Sequence, residues 1–160
     1  MEYKASYDMT TKIITAGIII LLLTIAILPV FLIDNRGFLI TLLISLVHIL
    51  ICIVTFIYSP RSYSIASKQI TIHRIFKDVV FLREEIESYK IIDKADIKGT
   101  IRTFGVGGLF GYFGSFYNTN FGAMTWYLTR RDKLVLLITK QNKKILLSPD
   151  NPEDFIKAIA

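Results

Sequence analysis

Two uninterrupted apolar stretches, only four residues apart, limit what this chain can become. Residues 13–33 and 38–58 are each 21 residues long and contain no Asp, Glu, Lys or Arg. At ~1.5 Å rise per residue a helix of that length spans roughly 31 Å, about one bilayer hydrocarbon core. Lipid offers no partners to backbone N–H and C=O groups, so two such segments are expected to be helices. The connecting residues Asp34, Asn35, Arg36 and Gly37 are turn formers, enough to reverse the chain and little more. The two helices are therefore expected to form an antiparallel transmembrane hairpin. Pro29 falls near the end of the first helix, where a lost hydrogen bond is tolerated. The first stretch exceeds the ~7–15 apolar residues of a cleaved signal, and no small-residue cleavage site follows it, so it reads as a retained span.

The second span carries a stripe. Thr41, Ser45, His48, Cys52 and Thr55 recur at helical intervals and share one face. Small and hydroxyl side chains permit close approach and interhelical hydrogen bonds. The stripe predicts either the internal seam of the hairpin, matched by Gly17 and Thr24 on the first helix, or a contact with a second copy of the chain. His48 has no carboxylate companion in the spans for a proton relay, and reads as a hydrogen-bonding member of the stripe. Lys4 and Lys12 before the first span, and Arg61 and Lys68 after the second, outweigh the loop's lone Arg36. That bias predicts both termini on the cytoplasmic side. Tyr3, Tyr7, Phe31, Phe38 and Tyr58 fall where interfacial aromatics are expected.

Charge divides the chain at the same place. Basic and acidic residues balance in 1–58, and the whole net charge of +6 resides in 59–160. A basic domain beside a bilayer is drawn to anionic headgroups. Its cations never run longer than two, as in Arg130–Arg131 and Lys143–Lys144, a poor pattern for nucleic acid. The one cysteine, Cys52, lies inside a span and excludes an internal disulfide.

From Ser59 and Pro60 onward the pattern becomes β-like. Tyr63 and Ile65, then Ile70 and Ile72, alternate with polar residues, as half-buried strands require. Further strands are expected over 79–82, 86–92, 123–129, 133–139 and 144–147. About seven antiparallel strands in an α+β chain suggest a sandwich or small barrel. The run from Ser148 to Asp154 starts a terminal helix: Asn151 caps, Pro152 takes the first position, and Glu153 and Asp154 suit the dipole. Phe155, Ile156 and Ile159 form its apolar stripe, fit to plug an open barrel end.

Strand hairpins, a Gly- and aromatic-rich segment from Arg102 to Phe116, three more strands and the Pro149-Asp150-Asn151-Pro152-Glu153-Asp154-Phe155 helix start together resemble the bacterial pleckstrin-homology (PH) domain families. The resemblance covers about residues 60–160. Some members of those families carry transmembrane helices before the domain. It implies a PH-like fold over 59–160, behind an N-terminal unit of 1–58, and a binding or assembly role. It names no ligand. Phosphoinositide-binding PH domains often carry a basic motif across the first hairpin. Lys68, Arg74 and Lys77 occupy that region, but Ile72 interrupts the pattern, leaving general attraction to anionic headgroups as the expectation.

The glycine segment lacks the Gly-Lys-Ser/Thr of a phosphate loop and misses the dinucleotide fingerprint by one residue. Its Phe104, Phe110, Tyr112, Phe113 and Phe116 either pack within the domain or contact membrane or partner. Neither a catalytic constellation nor a metal-ligand set is legible, with His73 the lone histidine after the spans. No cofactor is expected. The reading is a non-enzymatic, membrane-anchored PH-like module that recruits or assembles a protein at the inner membrane. The alternatives are a sensor of anionic lipid headgroups and a subunit that oligomerises through the hairpin.

Overall fold

The computed structural model describes residues 1–32 and 35–159, and the side chains outside 28–38. The side chains of Pro29, Phe31, Asp34 and Phe38 therefore lie outside the described residues. Helix α1 (Met9–Leu32) starts earlier than the apolar stretch because Asp8 caps it: the Thr11 N–H donates to Asp8 Oδ1 at 2.7 Å. Helix α2 (Asn35–Tyr58) takes in Asn35, Arg36 and Gly37, which were expected in the turn. Continuing the helix satisfies backbone groups that a longer loop would leave unpaired.

Ser45 and Thr55 are buried on α2, and Thr41, His48 and Cys52 are half-buried, while most neighbouring positions are exposed. The polar stripe is thus the covered face of α2. The matching strip on α1 differs from the expected one. Ile18, Leu22, Ile25 and Ala26 are half-buried, Thr11, Ile14 and Thr15 are covered by the strand domain, and Gly17 and Thr24 are exposed. The Thr24 hydroxyl donates to the Ile20 carbonyl of its own helix at 3.0 Å, and His48 Nδ1 likewise pairs with the Ile44 carbonyl at 2.7 Å.

Two sheets follow. The first has the order β1 (Glu2–Lys4), β2 (Ser62–Ile65), β3 (Gln69–His73), β4 (Val79–Leu82), all antiparallel. The second contains β5 (Ile86–Ile92), β6 (Ile101–Gly108), β7 (Gly111–Asn118), β8 (Gly122–Leu128), β9 (Leu134–Thr139) and β10 (Lys144–Leu147), in the order β5-β9-β10-β8-β7-β6. Its β8 and β10 run parallel, and the other pairs are antiparallel. The sheets do not close into a barrel; they pack as a PH-like sandwich with α3 (Pro152–Ile159) against it. The expected α+β class holds, with three more strands than the sequence suggested. One of them is β1. Residues 2–4, grouped with the helices when the chain was divided at 58, pair with β2 and belong to the first sheet.

Strand β9 explains the layering. Val135 and Leu137 face the first sheet and meet Tyr63, Ile70, Ile72 and Phe155. Leu134 and Leu136 face the other way, joining Trp126, Tyr112, Phe116 and Ile97. This strand, between β5 and β10, is therefore apolar on both faces, as a doubly covered strand must be. Tyr63 anchors the first layer. Its hydroxyl donates to the Tyr127 carbonyl at 2.6 Å and accepts the Ser148 N–H at 3.1 Å, and burial pushes its pKa up to about 12.

The glycine segment forms the β6–β7 hairpin. Gly105 stands directly opposite Gly114, which in turn stands opposite Trp126. A Cβ on Gly105 would come within 2.2 Å of the Phe113 carbonyl oxygen, and one on Gly114 within 2.4 Å of the Phe104 oxygen. Both glycines also have φ near +115, at 112° and 120°, a region closed to L side chains. Gly105→Ala or Gly114→Ala should each lower stability by about 2 kcal/mol or more. Gly17→Ala, where a Cβ meets open space, should leave it within ~0.5 kcal/mol of the original. Thermal melting of the detergent-solubilised chain checks the contrast.

Candidate functional site

The tip of the β6–β7 hairpin reaches the two apolar helices. Phe110 occupies the left-handed region at φ 53°, uncommon for a bulky residue. Both helices hold it there. Its N–H donates to Thr15 Oγ1 of α1 at 3.0 Å, and its carbonyl accepts Ser59 Oγ, just past α2, at 2.5 Å. Its ring meets Phe56 of α2 edge-on, with centroids 5.1 Å apart. Beside it, Ile14 packs where a Gly108 side chain would be.

Two further joints flank this one. The β3–β4 turn meets the end of α2: the Phe76 N–H donates to the Ile57 carbonyl at 3.0 Å, and the Phe76 ring lies 5.3 Å from Tyr58. The start of α1 meets the β8–β9 turn. Thr11 Oγ1 donates to the Thr129 carbonyl at 3.1 Å, and the Arg131 N–H donates to Asp8 Oδ2 at 3.3 Å. Asp150 then gathers the N-terminal tail and this turn. It accepts the Ser6 N–H at 3.0 Å and the Ser6 hydroxyl at 2.6 Å, and pairs with Arg130 at 3.2 Å. The domain therefore sits directly on the helix ends, on the side of the hairpin that carries both termini.

The expected contact residues fall in different places. Tyr112, Phe113 and Phe116 are buried in the domain, and Phe110 is held at the helix joint. Phe104 alone of the five points away from the protein, 80% exposed on β6. Lys68 and Arg74 flank opposite ends of β3, roughly 20 Å apart at strand spacing. Arg74 is engaged locally. Its Nε donates to the Lys77 carbonyl at 2.9 Å, and its guanidinium lies 5.4 Å from the Tyr58 ring centre. Lys77 takes a left-handed turn position at φ 59°, beside Asp78. The structure thus brings Arg74 and Lys77 together at the helix end and leaves Lys68 at the far end. Tyr3, expected at the membrane interface, packs on Phe155 at 5.1 Å instead. Among the described residues no group of three or more His, Cys, Asp or Glu is placed to hold a metal.

Asp8, Thr11, Thr15 and Ser59 were missed by sequence reasoning. Asp8 three residues before Thr11 is a readable cap signal, but which strand tip would meet Thr15 is a tertiary fact. A two-sheet sandwich closed by a C-terminal helix defines a PH-type domain. The family model for the bacterial PH domain matches residues 61–160, and the chain belongs to that family. The family marks it as a binding module of a typically non-enzymatic kind. No curated protein and no solved structure matches the chain.

The Asp150 joint makes folding pH-dependent. Burial works to raise the Asp150 carboxyl, but hydrogen bonds from Ser6 and the Arg130 guanidinium outweigh it and hold the pKa below the usual carboxylate value. Hydrogen bonding from Arg130 depresses Asp132 in the same turn. A depressed folded pKa stabilises fully above the unfolded value, near 3.9, and that stabilisation is lost as pH falls through the folded value. The melting temperature should therefore drop below about pH 4. Asp150→Asn should lower it at neutral pH and flatten part of the acid dependence.

Proposed function

We propose that the chain is a membrane-anchored PH module that holds its domain at the cytoplasmic surface of the cell membrane and binds a protein partner there. The observation that carries this reading is the direct seating of the domain on two long apolar helices. Both helices have the length and composition to cross a membrane, and outside their mutual seam their side chains are exposed. Exposed Leu, Ile and Val along 39–54 suit lipid rather than water. Strand β1 pairs beside β2, and Tyr3 touches α3, so both termini lie on one side. The flanking lysines and arginines favour the cytoplasmic side.

The partner surface in this reading is the free edge of β6, the outermost strand of the second sheet. An unpaired strand edge offers a row of backbone donors and acceptors for an added strand. Ile101 and Phe104 stand exposed along it. A lipid-sensing role is favoured by a different observation: Arg74 and Lys77 sit at the end of α2, at headgroup level if the helix spans the bilayer.

The chain should stay in the membrane pellet after alkaline carbonate extraction, and tags at both termini should be reached by protease only from the cytoplasmic side. A photo-crosslinking residue at Phe104 should yield a protein adduct that one at Gln141, on the β9–β10 turn, does not. Release by carbonate would overturn the anchor. Equal labelling from both positions would overturn the β6 edge as the partner surface.

A further inference from the structure

The outer face of the second sheet holds a feature that the anchoring and the β6 edge do not use. Register places Arg102 opposite Phe116, and Gly107 opposite Tyr112. These residues, with Trp126 on β8, form the floor of a pocket of about 620 Å³. The β5–β6 connection supplies its wall, including Lys94, Lys98 and Thr100, and Arg131 closes one end. The volume lies within the roughly 300–1,000 Å³ usual for small-molecule sites.

The lining is chemically one-sided. It contains four cations, Lys94, Lys98, Arg102 and Arg131, and no carboxylate. None of the four has an ion-pair partner among the described residues. The nearby Asp96 is turned back into its own loop, accepting the Asp93 N–H at 2.9 Å. Gly107 makes room for the Arg102 guanidinium, whose Nη1 would stand 3.2 Å from a Cβ there.

The floor adds unspent donors. Tyr112 and Trp126 are 96% and 97% buried, at 4% and 3% relative exposure, yet the Tyr112 hydroxyl and Trp126 Nε1 have no hydrogen-bond partner. Arg131 Nε is likewise buried without one, and the guanidinium carbon lies 4.7 Å from the Tyr112 ring centre. Buried polar groups are ordinarily paired, and leaving one unpaired costs about 1–3 kcal/mol. All three can donate. The Trp126 and Phe116 rings stack at 4.0 Å and give the floor a flat apolar surface.

We infer that this pocket binds a phosphate ester, its oxygens taken by the Lys94, Lys98, Arg102 and Arg131 cluster and the Tyr112 and Trp126 donors, its carbon part lying against the aromatic floor. Four cations and two further donors exceed what the two oxygens of one carboxylate can use. A phosphate brings more acceptor oxygens and up to about two charges. The ester is either the headgroup of an anionic phospholipid or a soluble organic phosphate. The pocket's position suits the first source. Arg131 bonds through its N–H to Asp8 at the start of α1, and Gly107 adjoins Gly108, which packs on Ile14.

Trp126 is the chain's one tryptophan and reports the pocket directly. The full chain in uncharged detergent would be titrated with short-chain phosphatidylglycerol, with glycerol 3-phosphate, and with dioctanoylglycerol as the neutral control, following Trp126 emission. A saturable change is expected with an anionic probe and none with the neutral one. Response to phosphatidylglycerol alone assigns the site to a lipid headgroup; response to glycerol 3-phosphate as well assigns it to soluble esters. Lys98 and Arg102 are exposed, so Lys98→Gln/Arg102→Gln should keep the fold by circular dichroism and weaken binding about tenfold or more. Arg131→Gln should weaken it independently. No saturable response, an equal response to dioctanoylglycerol, or undiminished affinity in both variants would overturn the inference. Binding here is read on the isolated chain, so it stands or falls apart from partner capture at β6.

Discussion

Two hydroxyl groups, on Thr15 and Ser59, meet at one residue, Phe110, and that meeting decides how the rest of the molecule is arranged. A left-handed Phe costs on the order of 1–2 kcal/mol in isolation. Here its N–H and its carbonyl are each satisfied by a different helix end, and its ring lies on Phe56. The hairpin tip therefore ties α1, α2 and the second sheet into one unit. A domain hung on a flexible tether would show none of these contacts. The glycines of β6 and β7 serve the same end. Gly108 admits Ile14, while Gly105 and Gly114 let the two strands approach so closely that a methyl group on either would strike backbone.

Much of this was readable beforehand, for clear physical reasons. The two apolar helices announce themselves as long uncharged runs. Period-2 alternation marks β2 and β3, and Asn151-Pro152 marks the start of α3. The Thr41–Thr55 stripe is the covered face of α2 because helical spacing alone puts those residues together. Two things were hidden. Strand β1 is three residues long, too short to show a period, and exists only because β2 offers it an edge. Strands β6 and β7 were obscured by glycine, which weakens any strand signal taken one segment at a time. Their glycines make sense only in pairs, across the ladder. Gly17 and Thr24 misled for a related reason: small residues suit a seam, but which side of α1 faces α2 is set by where the hairpin tip and Asp8 hold that helix.

The sequence offered candidate contact residues, and the structure distributes them over several places. The aromatic residues singled out in the sequence divide by depth in the structure, and the expected cations Lys68, Arg74 and Lys77 lie away from the pocket. Tyr112 and Phe116 line a pocket from inside, Phe110 serves the joint, and Phe104 stands on a free edge. The cations of the pocket come from the β5–β6 connection, β6 and the β8–β9 turn, far apart in sequence. No local motif could have announced them. Seating on the helices, strand edge and pocket are then three consequences of one hairpin: its tip docks on α1 and α2, its outer strand stays open, and its face turned away from the first sheet forms the floor.

The docking of that tip is the claim on which the others depend. The most direct measurement is amide hydrogen exchange at Phe110, followed by selective isotopic labelling of phenylalanine in the full chain and in Thr15→Val. The account predicts strong protection at Phe110, lost in the variant while the Phe116 amide, inside the β6–β7 ladder, keeps its protection. A Phe110 amide that exchanges freely in the unaltered chain would mean that the hairpin tip is not seated on the helices, and would contradict the account.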